Sequence, residues 1–305
     1  MGDADDGTSL RNRTAAIRHL DAARAREIVG LFARPVVDDG TGPAYDASDP
    51  ITAATYGELS LDHTGTAQAS ADVVGHYQTH LYLDRVLRLP PSVARELARH
   101  RGHLYLDGLR SITDTTAAAL AAHAPGGLSL RGLRHLSPAA AAALGRHRGE
   151  LSLDRLTHLD AATALGLAAH AHDLFLGGLE ALAPRAAAAL AQHRGNLVLG
   201  TFATTPVRVA AHLARHGGKL HLHGVTRLST AAARVFGGRT GFLCLKRLRR
   251  LTPRQARLLA AHKGELQLHS LQVDEATAFF LGGHEGALVL HVPDDLPLPR
   301  LEALL

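Results

Sequence analysis

The chain has 305 residues, of which 46% are apolar, 20% are charged and only 4% are aromatic, so Leu and Ala must form most of its core. Its one cysteine, Cys244, excludes a disulfide framework and a Cys-rich zinc module. The net charge of +5 conceals a segment, residues 181–264, that contains 15 Lys and Arg and no Asp or Glu. The polar start and the lack of a long apolar stretch predict a cytoplasmic protein without a membrane segment.

Residues 1–58 are predicted to form an N-terminal capping helix followed by a loop. Segment 14–34 carries Ile17, Leu20, Ile28 and Leu31 at helical spacing, which predicts an amphipathic helix that covers one end of the core. Asp, Gly and Pro are frequent from 35 to 50, which indicates a loop.

From residue 59 to 291 the chain consists of a unit that recurs every 22 to 24 residues. We number each unit from the first Leu of a Leu-x-Leu triplet, and about ten units are predicted. The triplets begin at Leu59, Leu81, Leu104, Leu128, Leu151, Leu174, Leu197, Leu220, Leu243, Leu266 and Leu288. Residues 292–305 are predicted to cap the C-terminal end.

The columns of this repeat predict a strand, a loop, a short helix and a turn in each unit. Leu at positions 1 and 3 has strand periodicity, and Leu at 9, Ala at 14 and Leu at 17 form a helical stripe. Position 10 carries N-cap residues: Thr113, Ser137, Asp160, Ser229 and Thr252. His at 20 and Gly at 22 are expected to end the helix, with Gly in a left-handed conformation. The fold class is therefore α/β, a βα solenoid with a parallel sheet.

The repeat resembles the leucine-rich repeat family, most closely its cysteine-containing class. Residues 104–124 read LYLDGLRSITDTTAAALAAHA, in which Ile112, Thr113 and Asp114 match the start of that class's helix. Leu and His replace the two Cys columns, and the unit is shorter than the class's. The resemblance implies a right-handed arc with the sheet on its concave face and the helices on its convex face. It also implies a binding scaffold more often than a catalyst.

The histidine column at position 20 is interpreted as architectural, because one residue type at the same helix end in nearly every unit indicates packing. Its members are His100, His123, His147, His170, His193, His216, His262 and His284. His212 and His216 have the spacing of a zinc-binding helix but lack the accompanying Glu.

The sheet face turned away from the helices varies in sequence and is the predicted docking surface for a protein partner. Aromatic anchors of the kind that carry binding energy stand in its position-2 column. The predicted contact residues are Tyr82, Asp84, Tyr105, Asp107, Arg131, Asp154, Phe175, His221 and His223. An ordinary solvated sheet face is the alternative. Like-charged carboxylates on neighbouring strands would destabilise the sheet unless something compensates them.

His221, His223, Cys244 and His269 are expected to cluster on neighbouring strands, which makes zinc or copper conceivable by ligand type. Histidine is frequent throughout this chain, so the sequence favours no metal and no cofactor. Nucleotide-binding and hydrolase motifs are absent from the sequence, and no enzyme activity is predicted.

An Arg-rich edge is predicted where the chain leaves its strands in the basic segment, and it suits phosphate or carboxylate groups. Its residues are Arg227, Lys246, Arg247, Arg249, Arg250, Arg254 and Arg257. The predicted function is a non-catalytic scaffold that binds a protein with an acidic surface. The alternative is a nucleic-acid-binding protein that uses the basic block 181–264, although 30 Arg against 3 Lys is also typical of a GC-rich bacterial genome.

Overall fold

A computed structural model describes residues 20–32, 80–200 and 202–290. The strands in these ranges are β1 (Leu81–Tyr82), β2 (Leu104–Tyr105), β3 (Leu128–Ser129), β4 (Leu151–Ser152), β5 (Leu174–Leu176), β6 (Leu197–Leu199), β7 (Leu220–Leu222), β8 (Leu243–Cys244), β9 (Leu266–Leu268) and β10 (Leu288–Leu290). The helices are α1 (Ala22–Phe32), α2 (Pro91–Leu97), α3 (Asp114–Leu120), α4 (Pro138–Leu144), α5 (Ala161–Ala168), α6 (Pro184–Leu190), α7 (Val207–Leu213), α8 (Thr230–Gly237), α9 (Pro253–Ala260) and α10 (Glu275–Leu281).

The strands form one parallel sheet in sequential order from β1 to β10, and a helix follows each strand from β1 to β9. The first Leu of each triplet pairs with the first Leu of the next, as Leu81 does with Leu104 and Leu243 with Leu266. The α/β solenoid predicted from the repeat is therefore confirmed for residues 80–290. The predicted unit at Leu59 lies outside the described residues.

The core lies between the sheet and the row of helices. Leu at positions 1 and 3 of β2 to β9 is almost completely buried, and so is the apolar residue at position 17. Ala at position 14 has no exposed surface in the eight units from Ala94 to Ala256 within the described chain. A larger side chain at this column would push neighbouring helices apart, so the small residue sets their approach.

The predicted N-caps are confirmed. The side chains of Thr113, Ser137, Asp160, Ser229 and Thr252 each accept a hydrogen bond from the backbone N–H three residues later. Proline stands at the first helical position of α2, α4, α6 and α9, where no donor is needed. These short helices therefore begin at positions that the local sequence specifies.

Helix α1 lies within the predicted segment 14–34 and packs against α2. Leu20, Ala25 and Val29 are buried in the common core, and the Arg26 guanidinium pairs with the Glu96 carboxylate of α2 at 3.1 Å. The side chains of Ile17, Ile28 and Leu31 lie outside the described part. Within the described ranges, the helices are too short or too polar to cross a membrane.

The expected left-handed glycine stop is wrong for most units. The helices end at position 17 or 18 on a right-handed C-cap, such as Gly145 with φ −59°. Among the described glycines of the position-22 column, positive φ is found at Gly241 and Gly264. Glycine is instead needed at this position because there is no room for a side chain. A Cβ on Gly149 would lie 1.8 Å from the Gly126 carbonyl oxygen. Close stacking of successive turns is therefore what excludes a side chain.

Replacement of Gly218 by Ala is expected to destabilise the fold, because the new Cβ would lie 2.2 Å from the Gly195 carbonyl oxygen. We expect the free energy of unfolding in urea to fall by about 1–3 kcal/mol, the usual cost of overpacking. Gly217→Ala is the matched control in the same turn, since nothing lies within 4 Å of its Cβ position. Equal stability of the two variants would contradict the stacking argument.

Candidate functional site

The position-20 histidines form a buried ladder along the turns. Rings of consecutive units lie nearly parallel with centroids 5.6–6.2 Å apart from His100 to His216, and His262 and His284 continue the arrangement at 6.0 Å. The rings from His100 to His216 are at most 2% exposed. This column is structural and unavailable to a ligand.

At the C-terminal end of the ladder, the rings of His262 and His284 lie against backbone carbonyl oxygens of the preceding unit. The His262 Nδ1 lies 3.1 Å from the Phe236 carbonyl oxygen, and Nε2 lies 2.7 Å from that of Gly241. Arg239 takes the histidine's place in one unit, and its guanidinium donates to the carbonyl oxygens of His216 and Gly218. Arg239 is only 3% exposed and therefore does not contribute to the basic surface.

The face of the sheet opposite the helices, which we call the open face, carries the predicted aromatic anchors. The rings of Tyr82 and Tyr105 stack on neighbouring strands with centroids 4.4 Å apart and planes 12° from parallel. Phe175 stands on β5, roughly 14 Å from β2 at the usual strand spacing. The position-2 residues between them, Ser129 and Ser152, are small and buried. The predicted anchors are thus one aromatic pair and one separate ring, all half-buried.

The carboxylates at position 4 bond to the neighbouring unit. Asp107 Oδ1 accepts hydrogen bonds from Ser129 Oγ at 2.6 Å and from the backbone N–H of Arg131 at 2.8 Å. Asp84 accepts from the N–H of Asp107 at 3.3 Å. These hydrogen bonds compensate the repulsion between the neighbouring carboxylates. The sequence indicated that such compensation was needed but did not identify the donors.

Asp154 repeats this arrangement and adds an ion pair. Its Oδ1 accepts from the N–H of Gly177 at 2.8 Å, while Oδ2 lies 3.2 Å from Nε of Arg131. The acidic half of the open face is therefore held in place by its own hydrogen bonds.

His221 on β7, His223 directly after β7 and Cys244 on β8 lie together, as the sequence predicted. One ligand atom from each lies within 4.8 Å of the other two. Burial lowers the pKa of His221 to about 4 and raises that of the Cys244 thiol to about 11. The fourth predicted member, His269, is outside this group, and its Nε2 lies 3.1 Å from Oε1 of Gln267.

The predicted Arg-rich edge lies where the chain leaves β7 and β8. Arg249 links stacked loops, because its N–H donates to the Thr226 carbonyl at 3.3 Å and its own carbonyl accepts from Gln272 at 2.8 Å. Arg250 Nε donates to Oε1 of Gln272 at 3.2 Å. Five exposed residues lie in these loops, namely Arg227, Lys246, Arg247, Arg249 and Arg250, whereas the exposed Arg254 and Arg257 continue the basic surface onto helix α9.

The ion pairs of the described chain lie far from this edge. They join Arg26 and Arg99 to Glu96, and Arg131 to Asp154. No carboxylate of the described ranges forms an ion pair with a cation of the Arg-rich edge. These side chains therefore present uncompensated positive charge to solvent.

Comparison with known proteins identifies neither a family nor a curated relative, since no family profile and no curated protein match the chain. Among solved structures, the chain is similar to an internalin from Listeria monocytogenes at 15% identity. That alignment covers 73% of this chain and 72% of the other, with a TM-score of 0.38. The strand order and register of the chain itself therefore carry the assignment of the fold.

The histidine ladder predicts that the protein loses stability in mild acid. Burial lowers the pKa of His123 to about 3 and those of His147, His170 and His216 to about 4. Below about pH 6.5 the unfolded chain takes up protons that the folded chain does not, so the free energy of unfolding falls from about pH 6.5 to about pH 4. Above that window the full stability is retained.

Urea unfolding at a series of pH values measures this effect. His147→Gln is expected to make the pH dependence shallower by about one proton. Replacement of the exposed His135 by Gln is the control and should leave the slope unchanged. A wild-type stability that stays constant across the window would show that the ladder is not buried in its neutral form.

Proposed function

We propose that this chain is a non-catalytic scaffold of the leucine-rich repeat type that binds a protein partner with an acidic surface. The observation that carries this proposal is the Arg-rich edge, whose exposed cations have no carboxylate partner in the described ranges. Such a concentration of charge attracts an anionic surface and accelerates its association.

The open face supplies the apolar part of the proposed interface. The Tyr82–Tyr105 stack is half-buried and presents two rigid aromatic rings, the residue type that dominates binding energy at protein interfaces. Its strands lie roughly 25 Å from β7 at the usual strand spacing. A protein domain is large enough to contact both surfaces at once, which is why a protein partner is favoured over a small ligand.

The sequence supports a non-catalytic role, because it contains no nucleotide-binding or hydrolase motif. A cytoplasmic location is part of the proposal, and the free, buried thiol of Cys244 is compatible with a reducing compartment. The terminal caps at 1–58 and 292–305 are also part of the proposal. The packing of α1 on α2 supports the N-terminal cap.

Substitution of both stacked tyrosines by Ala is expected to weaken partner binding about 30-fold or more, since an aromatic anchor contributes roughly 2 kcal/mol. The partner is first captured on the immobilised full chain, identified by mass spectrometry and purified, and its affinity is measured by biolayer interferometry. Leu165→Ala serves as the control, because it removes an apolar side chain that is 56% exposed on helix α5, outside both proposed contact surfaces. Unchanged affinity of the double tyrosine variant would remove the open face from the proposal.

Charge reversal of Arg247, Arg249 and Arg250 to Glu is expected to slow association with the same partner and to reduce its salt dependence. The matched control reverses the charge of three exposed arginines in equivalent loops of earlier units, Arg110, Arg134 and Arg155. Equal association rates for the two triple variants would show that the edge does not contact the partner.

Nucleic acid is the second candidate, and the same uncompensated charge favours it. Fluorescence anisotropy with mixed-sequence DNA and RNA distinguishes the two candidates. Binding at physiological salt that falls steeply with added salt, and that is lost when Arg247, Arg249 and Arg250 are reversed, would replace the protein partner by nucleic acid. Absence of binding under these conditions would retain the protein scaffold.

A further inference from the structure

We propose that His221, His223 and Cys244 bind one zinc-class transition-metal ion on the open face of the sheet. His221 and Cys244 are directly paired across β7 and β8 in the parallel register. His223 lies two residues beyond His221, so its side chain projects from the same face. The sheet itself thus brings the three side chains together, and one ligand atom of each lies within 4.8 Å of the others.

The spacing of these atoms fits a metal ion after small side-chain rotations. Zinc bonds of about 2.0–2.3 Å in tetrahedral geometry place neighbouring ligand atoms about 3.5 Å apart. The three atoms here are at most 4.8 Å apart, so closure by roughly 1 Å brings them to that geometry. Rotation of the two histidine side chains provides this movement without a change in the backbone.

The chemistry of the ligand set selects the class of metal. A thiolate and two imidazoles suit zinc and related borderline or soft ions, whereas magnesium and calcium require oxygen ligands. The three ligand atoms themselves include no oxygen, so the proposed site favours zinc-class ions over hard cations.

The environment of the cluster leaves one side open for a fourth ligand. Cys244 is 2% exposed and forms the floor, whereas both histidines are half-buried. On the neighbouring strand β6, Val198 pairs with His221, and Gly200 lies beside His223 without a side chain. With three protein ligands the site differs from structural zinc sites, which are closed by four protein ligands.

Nearby charges neither block nor create the site. Lys219 acts electrostatically on His221 and Lys246 on His223, and both lysines are exposed, so their flexible side chains can keep their charge in water. Asp173 and Glu265 interact electrostatically with His221 and offset this charge in part. His221 and His223 also belong to the predicted partner-contact residues, but metal binding is tested without a partner and so can fail or succeed separately from the proposed scaffold function.

Titration with cobalt(II) tests the site in the full chain, prepared without a tag and treated with a chelator. We expect one cobalt ion per chain, with a thiolate-to-cobalt charge-transfer band and the intense visible bands of tetrahedral cobalt. Zinc(II) should displace the cobalt and abolish both sets of bands. Cys244→Ser should remove the charge-transfer band.

The combined substitution His221→Gln and His223→Gln should weaken cobalt binding more than about 100-fold, which exceeds the effect of losing a second-shell partner. This variant changes half-exposed side chains and so also provides a test if Cys244→Ser fails to fold. His135→Gln is the control for an exposed histidine elsewhere. Cobalt binding without the thiolate band, or equal affinity of the wild type and the double histidine variant, would overturn the proposal.

Discussion

The close approach of each unit to the next is the constraint on which the rest of this structure depends. The parallel sheet holds strands about 4.8 Å apart, whereas helices with ordinary side chains pack about 8–10 Å apart. Small residues allow the helices of neighbouring units to approach each other closely. Ala occupies position 14. A Cβ on Gly145, directly after α4, would lie 2.2 Å from the Gly166 carbonyl oxygen. The low aromatic content of the chain has the same cause, because thin layers leave little room for large rings.

Close stacking also creates buried backbone groups that need partners, and some members of two polar columns supply them. At the turns, His262 and Arg239 face carbonyl oxygens of the preceding unit. At the strand ends, Asp107 and Asp154 accept backbone N–H groups of the following unit. A buried peptide group without a partner costs free energy, so these residues recur at the repeat period. Their recurrence therefore reflects the backbone and not a ligand.

The repeat period was sufficient to predict the strands, the N-caps and the sheet register, because each depends on residues close in sequence. The register in turn placed His221 beside Cys244 correctly. The purpose of the glycine column was mistaken, since the 1.8 Å approach of Gly149 to the Gly126 carbonyl arises between units and not within a helix end. The hydrogen bond from the backbone N–H of Arg131 to Asp107 could not be predicted either, because every residue type except proline has a backbone N–H. The repeat pattern therefore predicts the structure within one unit but not the contacts between neighbouring units.

The cations of the basic segment are of two kinds, one buried within the fold and the other exposed at the Arg-rich edge. Arg239 belongs to the basic segment, yet it is buried and its guanidinium bonds are made to carbonyl oxygens of its own fold. Arg247 and Arg249, only a few residues later, are exposed and form no ion pair within the described chain. The solenoid can keep such an edge because each unit is stabilised by its buried Leu and Ala columns, which do not involve the loop side chains. An anionic surface would relieve the mutual repulsion among these cations, which is the physical reason why the proposed function assigns them to binding and not to folding.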